Sequence, residues 1–447
     1  MKKTYLSLVA AGVALISGTT QLASADPFGG QNGGEEFEGA VYAMSNSFEG
    51  NTIVAYGRQD DGLLSFIGET STGGIGAAFD GGEGLDPLIS AYALTITDNR
   101  QFVLAVNAGS NTVSALRIDP DLGLTLTDQE AVHGVGPNSI AYRDGRVYVS
   151  SIDADGSFNG EPDQEGALTA FVLTPDGDLQ RMEDSVRLLN NRPSAVQVSP
   201  DGRHLVVTSI NAGSAALAFD NDDEIVVFSI DRQGALSPSH VDAATSTRQG
   251  NAENRNLPSA IGFEIVEDEG EQFVVVTEAR EFQADGSPPA FPALQTGSVS
   301  TWRLTEHGIL SPVNLDVMAG NAPFDGERTA CWIEFAPDLN TFWVSNALDA
   351  SLSTYSFSSG EISLLQQTAA TGAQPDDSDP FGTTDGWIDL WSSDNGEYLY
   401  QLYGLAGTIG VFKVEADGGL TLLQEVTDLP EANTQGIVER IASRTAS

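Results

Sequence analysis

The sequence predicts an all-β fold: a seven-bladed β-propeller with four-stranded blades, whose ring is closed by strands from the N- and C-terminal parts of the chain. Three observations predict it. A short hairpin motif returns seven times, a second hairpin lies between successive copies, and each end of the repeat region carries part of one blade. Four-stranded units repeated at a regular spacing, without a helical pattern between them, are typical of propeller blades.

The repeated motif is clearest in NTVSALRIDPDLGLTL, from Asn111 to Leu126. Apolar and polar residues alternate as far as Ile118, the chain turns at Asp-Pro-Asp-Leu-Gly, and a second alternating run begins. Alternation with a period of two on both sides of such a turn predicts a β-hairpin. The other copies begin at Asn51, Gly166, Asp223, Gly297, Ser351 and Gly407.

A second hairpin stands between the copies, as in PSAVQVSPDGRHLVVTSI from Pro193 to Ile210. Similar hairpins are TACWIEFAPDLNTFWVSNA and LISAYALTITDNRQFVLAVNA. Near the ends of the repeat region, GAVYAMSN (Gly39 to Asn46) resembles the second strand of a blade that lacks its first strand. TQGIVERIAS, which starts at Thr434, resembles that missing strand. Pairing the two would close the ring and remove exposed sheet edges.

Strand direction sorts the connections between strands into two faces. Tight turns such as SPDG, TDNR and DPDLG fall on one face, which we call the turn face, and every long connection falls on the other, the loop face. Long loops around one mouth of a channel are where a scaffold of this kind carries its ligand. We therefore expect function on the loop face.

The domain prediction has three parts. Residues 1–25 read as a signal peptide, with Lys2 and Lys3 before an apolar core and Ala-Ser-Ala at its end. Residues 26–38 read as a Gly-rich, acidic and poorly ordered lead, and residues 39–447 as one propeller domain. The expected product is periplasmic or secreted, and no later segment is long and apolar enough to suggest a membrane span.

The chain is strongly acidic, with 20 Lys and Arg residues against 63 Asp and Glu residues and a formal charge of -43. Such a charge argues against nucleic acid and anionic membranes as partners. It fits adaptation of the whole surface to a salty medium, and the alternative is that the acids serve mainly as calcium ligands. The single cysteine, Cys331, permits no intrachain disulfide, and we expect a small buried core residue there.

Three segments resemble the lactonase-type seven-bladed propellers, the group of bacterial phosphogluconolactonases and fungal carboxymuconate-lactonizing enzymes. They are RPSAVQVSPDGRHLVVTSI, FVVVTEAR and TACWIEFAPDLNTFWVSNALDASLSTYSF, and the resemblance runs over nearly all of the chain after residue 25. It implies opening or closing of a lactone ring in the central channel by His, Arg and Glu side chains, without a redox cofactor. The sequence departs from the family where a His often follows the Pro that opens an inner strand, because Asn138, Ser194 and Ser259 stand there.

Lactone hydrolysis needs a group that activates water and a donor that stabilises the oxyanion. Glu278 is the predicted base, and the predicted substrate and oxyanion clamps are Arg192, Arg280 and Arg328. His133 is the one histidine predicted near the channel mouth. Glu327, Asp385 and Asp389 are placed beside them at strand starts or ends. The alternative is that these Arg and Glu side chains pair between blades and only close the ring.

One loop carries oxygen ligands at spacings that a hard cation could use, which makes calcium the ion to expect. Its residues are Asp153, Asp155, Asn159 and Glu161, and Asp220 to Glu224 form a weaker cluster. In a chain this acidic, such clusters also arise by chance.

Two functions remain open from the sequence. The first is an extracytoplasmic lactonase-like hydrolase or cyclase, monomeric, acting on a small anionic sugar-acid or organic-acid lactone. It requires no cofactor, and calcium is the one ion that the sequence suggests as an addition. The second is a non-catalytic propeller that binds a protein, glycan or small ligand with its loop face.

Overall fold

The computed structural model describes residues 37–77, 86–154, 166–210, 225–244, 257–282, 295–372, 385–429 and 434–441. They form seven antiparallel sheets of the predicted propeller, and the described residues contain no helix. The predicted signal peptide and most of the predicted lead, residues 1–36, lie outside the described residues. Phe37 already packs against Gly57, and Glu38 donates its backbone N–H to the carbonyl of Arg58 at 2.8 Å.

Each blade has an innermost strand beside the central channel and a second strand paired with it. The innermost strands, from blade 1 to blade 7, are β31 (Gln435–Ile441), β4 (Leu94–Ile96), β8 (Val135–Arg143), β13 (Arg192–Val198), β17 (Leu257–Asp268), β23 (Ala330–Phe335) and β27 (Trp387–Ser392). The second strands are β1 (Gly39–Met44), β5 (Phe102–Asn107), β9 (Arg146–Asp153), β14 (His204–Ile210), β18 (Glu271–Phe282), β24 (Thr341–Asn346) and β28 (Tyr398–Tyr403).

The repeated motif forms the third and outer strands of each blade. The third strands are β2 (Thr52–Arg58), β6 (Thr112–Ile118), β10 (Gly166–Leu173), β15 (Ile225–Ser229), β19 (Gln295–Leu304), β25 (Ser351–Ser358) and β29 (Thr408–Val414). The outer strands are β3 (Leu64–Ser71), β7 (Leu124–Ala131), β11 (Leu179–Arg181) with β12 (Arg187–Leu189), β16 (Asp242–Ala244), β20 (Leu310–Met318), β26 (Glu361–Thr371) and β30 (Leu420–Val426). A small hairpin, β21 (Gly320–Ala322) and β22 (Asp325–Gly326), lies between blades 5 and 6.

The ring closes as predicted. β1 pairs with β31 over its whole length, with Val41 opposite Glu439, so the end of the repeat region supplies the channel strand of blade 1. Second strands are buried on both faces because each blade is packed between two neighbours, whereas residues of the outer strands are mostly half-buried or exposed. The tight turns lie on one face, as the alternating strand directions require, and the described strand ends that flank the long connections lie on the other.

Candidate functional site

A seven-residue segment, Asp86–Tyr92, crosses the central channel before the chain enters β4; we call it the plug. The Ser90 hydroxyl donates to the carbonyl of Asn138 in blade 3 at 2.8 Å. The backbone N–H of Ala91 donates to the carbonyl of Ser194 in blade 4 at 3.0 Å. Both partners lie on innermost strands, so the plug reaches across the channel from blade 2.

Further contacts join the plug to the remaining blades. The Tyr92 hydroxyl donates to the carbonyl of Phe263 in blade 5 at 2.6 Å, and Trp332 of blade 6 donates its indole N–H to the carbonyl of Ser90 at 2.9 Å. Gln435 of blade 1 donates to the same carbonyl at 3.0 Å. A segment bound to the innermost strands of so many blades lies across the axis of the ring.

The plug shortens β4 to three residues, because its backbone is not extended. Ile89 and Tyr92 have φ angles of 47° and 64°. A β-branched residue with positive φ is rare, because its side chain crowds the following carbonyl. This backbone strain has to be offset by the contacts of the plug with the channel wall.

Asp389, on β27, is the most enclosed carboxyl group beside the plug. It is 6% exposed, and it accepts the backbone N–H of Gly436 at 2.8 Å and the backbone N–H of Tyr92. Burial raises the pKa of Asp389 to about 7, and the two N–H donors lower it only in part. Asp389 therefore changes its charge near neutral pH.

A cavity of about 10 Å³ lies against Asp389, enclosed by Tyr92, Trp332, Trp391 and Ile437 among others. That volume has room for about one water molecule. A carboxyl group that ionises near pH 7 beside a water-sized space has the two properties that a general base for hydrolysis needs.

Asp86, at the start of the plug, is the second carboxyl group of this region. It accepts the Gln435 side-chain N–H at 2.7 Å and the backbone N–H of Ser90 at 3.1 Å. Burial raises the pKa of Asp86 to about 8, and the nearby charge of Asp389 raises it further than burial alone. Asp86 is therefore mostly protonated at pH 7.

Two more carboxyl groups, Glu264 on β17 and Glu334 on β23, form a hydrogen-bonded pair farther along the channel. Ser392 donates to Glu334 through its backbone N–H at 2.9 Å and its hydroxyl at 2.8 Å. Burial raises the pKa of Glu264 to about 7, and burial and the neighbouring Glu264 raise that of Glu334 well above its usual value. Two carboxyl groups in hydrogen-bond contact have to share a proton, so the pair links blades 5, 6 and 7 in its protonated form.

Glu278 and Arg280, the predicted base and one predicted clamp, are brought together within blade 5. Arg280 donates to the Glu278 carboxylate at 2.7 Å and contacts Asp316 at 3.0 Å. Ser298 and Ser300 each donate to Glu278 at 2.7 Å. Because these residues lie on the second, third and outer strands, the network is set back from the channel, and Glu278 is 0% exposed. The catalytic role of Glu278 stays a prediction.

Arg192, one of the predicted substrate and oxyanion clamps, lies at the loop-face end of an innermost strand. It is the first residue of β13 and is 9% exposed. Burial lowers the pKa of Arg192, and the carboxylate of Asp153 at the end of β9 acts in the opposite direction. Asp155, Asn159 and Glu161 lie outside the described residues, as do residues 220–224, so neither predicted calcium cluster can be described as a whole.

The remaining predicted residues lie apart from the plug. Arg328 forms a two-nitrogen ion pair with Asp349 on the loop face of blade 6. Glu327 accepts hydroxyl hydrogen bonds from Ser351 and Thr368. His133 precedes β8 and donates its backbone N–H to the Thr169 hydroxyl at 2.9 Å.

Two residues at the expected histidine positions and the single cysteine are structural. Asn138 donates its side-chain amide to the carbonyl of Pro193 at 2.7 Å, and Ser194 donates to the carbonyl of Ala260 at 2.9 Å, so both connect neighbouring blades. Cys331 is buried, as predicted. Among the described residues, no group of three or more His, Cys, Asp or Glu side chains is arranged to hold a metal ion.

A wider cleft of about 620 Å³ lies between the outer parts of blades 3 and 4. Phe228, Leu188 and His240 contribute to its wall. Arg187, also in the wall, donates to four backbone carbonyls of Asp184, Val186, Leu236 and Ser237. Its guanidinium is therefore engaged by the protein itself, and the cleft is remote from the channel carboxyls.

Sequence reasoning missed the plug, Asp86 and the Glu264–Glu334 pair. One signal was present: when the strands before the turns SPDG and APDL are aligned on those turns, Gln197 and Glu334 fall at the same position. That position faces the channel. The local pattern does not indicate that Asp86–Tyr92 lies outside a strand, because the alternation in LISAYALTI predicts one continuous strand from Leu88 to Ile96.

The fold is that of the lactonase-type seven-bladed propellers. Among solved structures, the chain is similar to the periplasmic gluconolactonase of Pseudomonas aeruginosa, with a TM-score of 0.59, 15% identity and coverage of 90% of this chain and 98% of that chain. A candidate 6-phosphogluconolactonase from Bacteroides fragilis gives a TM-score of 0.59 and 16% identity, with coverage of 90% and 98%.

A hypothetical selenium-binding protein from Sulfolobus tokodaii is nearly as similar, with a TM-score of 0.57, 12% identity and coverage of 92% and 96%. At these identities the likeness establishes the fold alone. No protein-family model and no curated protein matches the chain. The search for long apolar helices among the described residues found none that could span a membrane.

Proposed function

We propose that the protein is a lactonase-like hydrolase with Asp389 as its general base. The observation that carries the proposal is the position of Asp389: it is on an innermost strand, beside a cavity for one water molecule, with a pKa raised by burial to about 7. Two solved structures of this fold are named as a gluconolactonase and a candidate 6-phosphogluconolactonase, which supports the same chemistry.

In the proposed reaction, ionised Asp389 takes a proton from water while the oxygen of that water bonds to the lactone carbonyl carbon. The bond between this carbon and the ring oxygen then breaks. Asp389 returns the proton to the leaving oxygen, so one water and one lactone give one hydroxy acid. No histidine is needed, because burial gives a carboxyl group the pKa that an unperturbed histidine has.

The substrate is proposed to be a small anionic sugar-acid or organic-acid lactone that enters from the loop face. Arg192 at the start of β13 would hold its carboxylate or phosphate group, since a guanidinium can bind such groups with two hydrogen bonds. The expected extracytoplasmic location is supported by the apolar segment after Lys2 and Lys3. Bound calcium stays part of the proposal through Asp153 and the loop that follows it.

The experiment compares Asp389→Asn with Glu278→Gln on a panel of sugar-acid and aromatic-acid lactones in high salt. We expect Asp389→Asn to lower kcat/KM by about a hundredfold or more, because a general base contributes about 10²–10⁴-fold. Wild-type kcat/KM should rise with pH and level off above about pH 7, as Asp389 ionises. Thermal melts of both variants exclude unfolding as the cause.

The reverse ranking, with Glu278→Gln inactive and Asp389→Asn active, would assign the base to Glu278 and reject the role of Asp389. A second function is favoured by the plug, which leaves the channel little open space. If the wild-type protein turns over none of the lactones, the loop face is better explained as the binding surface of a non-catalytic propeller.

A further inference from the structure

Neutral hydrogen bonds hold the middle of the plug, whereas each of its ends meets a group that can lose a proton. Asp86, the first residue of the plug, accepts a hydrogen bond from the Gln435 side chain. Asp389 accepts the backbone N–H of Tyr92, the last residue of the plug. The ring of Tyr92 lies beside the Glu264–Glu334 pair, whose charges act on its hydroxyl. Both ends of the plug are therefore next to carboxyl groups.

The elements around the plug bring negative charge or neutral groups to it. β27 contributes Asp389, β17 contributes Glu264 and β23 contributes Glu334. β13 and β31 contribute the amides of Gln197 and Gln435, and β8 contributes the backbone carbonyl of Asn138. Within the described chain, no interaction of Asp86, Asp389, Glu264 or Glu334 involves a Lys, Arg or His side chain. Each ionisation in the channel therefore adds a negative charge that no cation balances.

The closed plug also contains strain that opposes these attachments. Both Ile89 and Tyr92 have positive φ angles, which residues other than glycine rarely adopt, so the closed backbone is strained. Their strain is relieved when the segment leaves the channel, because a free chain adopts ordinary angles. Ionised Asp86 and Asp389 keep their N–H donors, so the force that would move the plug outwards is the repulsion between buried carboxylates, added to this strain.

We propose that the plug is a proton-controlled gate: with the channel carboxyl groups protonated it closes the channel, and as they ionise it withdraws towards the loop face. The gate is independent of any reaction, since it depends only on contacts of the chain with itself. If Asp389 is also the base of a lactonase, withdrawal of the plug gives substrates larger than water access to it. The active, ionised state of Asp389 would then coincide with the open channel.

The test is amide hydrogen exchange of wild-type protein between pH 5 and pH 9 in high salt, corrected for the intrinsic effect of pH on exchange. The amides of Ala91 and Tyr92, which are hydrogen-bonded in the closed plug, should lose at least tenfold in protection from pH 6 to pH 9. Those of Val103 and Leu104, in the adjacent strand β5, serve as the control and should lose none. Equal protection of the plug at all pH values overturns the proposal.

The variant Asp86→Asn/Asp389→Asn keeps both side chains nearly the same size and removes their ionisation. In this variant the plug should stay protected at pH 9. Loss of protection equal to that of wild type would reject the two aspartates as the controlling groups. Should the double variant not fold, Asp86→Asn alone is the test. At pH 9 its plug amides should be more protected than those of wild type, by at least half of the logarithmic difference expected for the double variant. Exchange identical to wild type would again reject the proposal. None of these readouts uses a substrate, so failure of the gate and failure of the lactonase proposal are distinguishable.

Discussion

Replacing Arg58 by Met should lower the free energy of unfolding by about 3–5 kcal/mol, because it leaves a buried carboxylate without its counter-charge. Arg58 on β2 and Glu439 on β31 form an ion pair with an N–O distance of 2.5 Å, and their side chains are 4% and 0% exposed. Burial raises the pKa of Glu439, and Arg58 lowers it again. Removal of Arg58 therefore leaves either a buried charge or a protonated acid with too few partners.

The position of this pair increases the effect, because Glu439 is in the strand that closes the ring. Its second carboxylate oxygen accepts the backbone N–H of Asp394 in blade 7 at 3.2 Å, and its carbonyl accepts Arg100 of blade 2 at 3.1 Å. β31 is thus fixed to three blades around one residue. The loss of Arg58 should weaken all of them together.

Urea unfolding measures the change, and two variants control it. Arg303 and Glu271 form an exposed pair at 3.3 Å, so Arg303→Met should cost at most about 1 kcal/mol. The double variant Arg58→Met/Glu439→Leu should regain most of the loss, since a buried ion pair can often be replaced by apolar side chains at little cost. An Arg58→Met protein as stable as wild type would show that the ion pair does not hold the ring closed.

The second large effect expected is a loss of stability as pH rises, to which the Glu264–Glu334 pair contributes beside Asp86 and Asp389. The pKa of Glu264 rises from 4.5 to about 7 on folding, so the folded protein binds a proton that the unfolded chain releases. For a raised carboxyl pKa, the contribution is fully present below pH 4.5 and is lost as pH rises through 7. The shift corresponds to a loss on the order of 3 kcal/mol.

Glu334→Gln should remove the share of this pH dependence that comes from the pair, because an amide donates the hydrogen bond to Glu264 and does not titrate. The shares of Asp86 and Asp389 should remain. We expect the variant to be more stable than wild type at pH 8, with a shallower fall in unfolding free energy between pH 5 and pH 8. Glu267→Gln, at an exposed position of β17, the strand of Glu264, is the matched control and should follow the wild-type curve. Parallel curves for Glu334→Gln and wild type would assign the pH dependence to other groups.

The fold could be predicted from the sequence because each blade repeats the same alternation and the same turns. The hairpin from Asn111 to Leu126 forms β6 and β7, and the segment at Gly39 forms the second strand of an incomplete blade, as its position suggested. These features are local, because the alternation of apolar and polar residues along a strand can be read without knowing which strands lie beside it.

The candidate site was less predictable, because it depends on which face of a strand meets which neighbour. Alternation places Glu278 and Arg280 on one side of β18, but it does not tell whether that side meets the channel or the serines of β19. The plug is a case in which tertiary contacts override a local pattern. Leu88 to Ile96 reads as a strand, yet the hydrogen bonds of Ser90 and Ala91 to other blades favour a different path.

The closure of blade 1 also sets the order in which the ring can be completed. Its channel strand, β31, is synthesised after every other strand described, so blade 1 lacks that strand until the others have left the ribosome. Pairing of β1 with β31 joins residues from opposite ends of the repeat region, and such distant contacts form slowly. A circularly permuted chain that begins at the loop before β31 would encode all four strands of blade 1 contiguously, and its ring should then assemble blade by blade from neighbouring sequence.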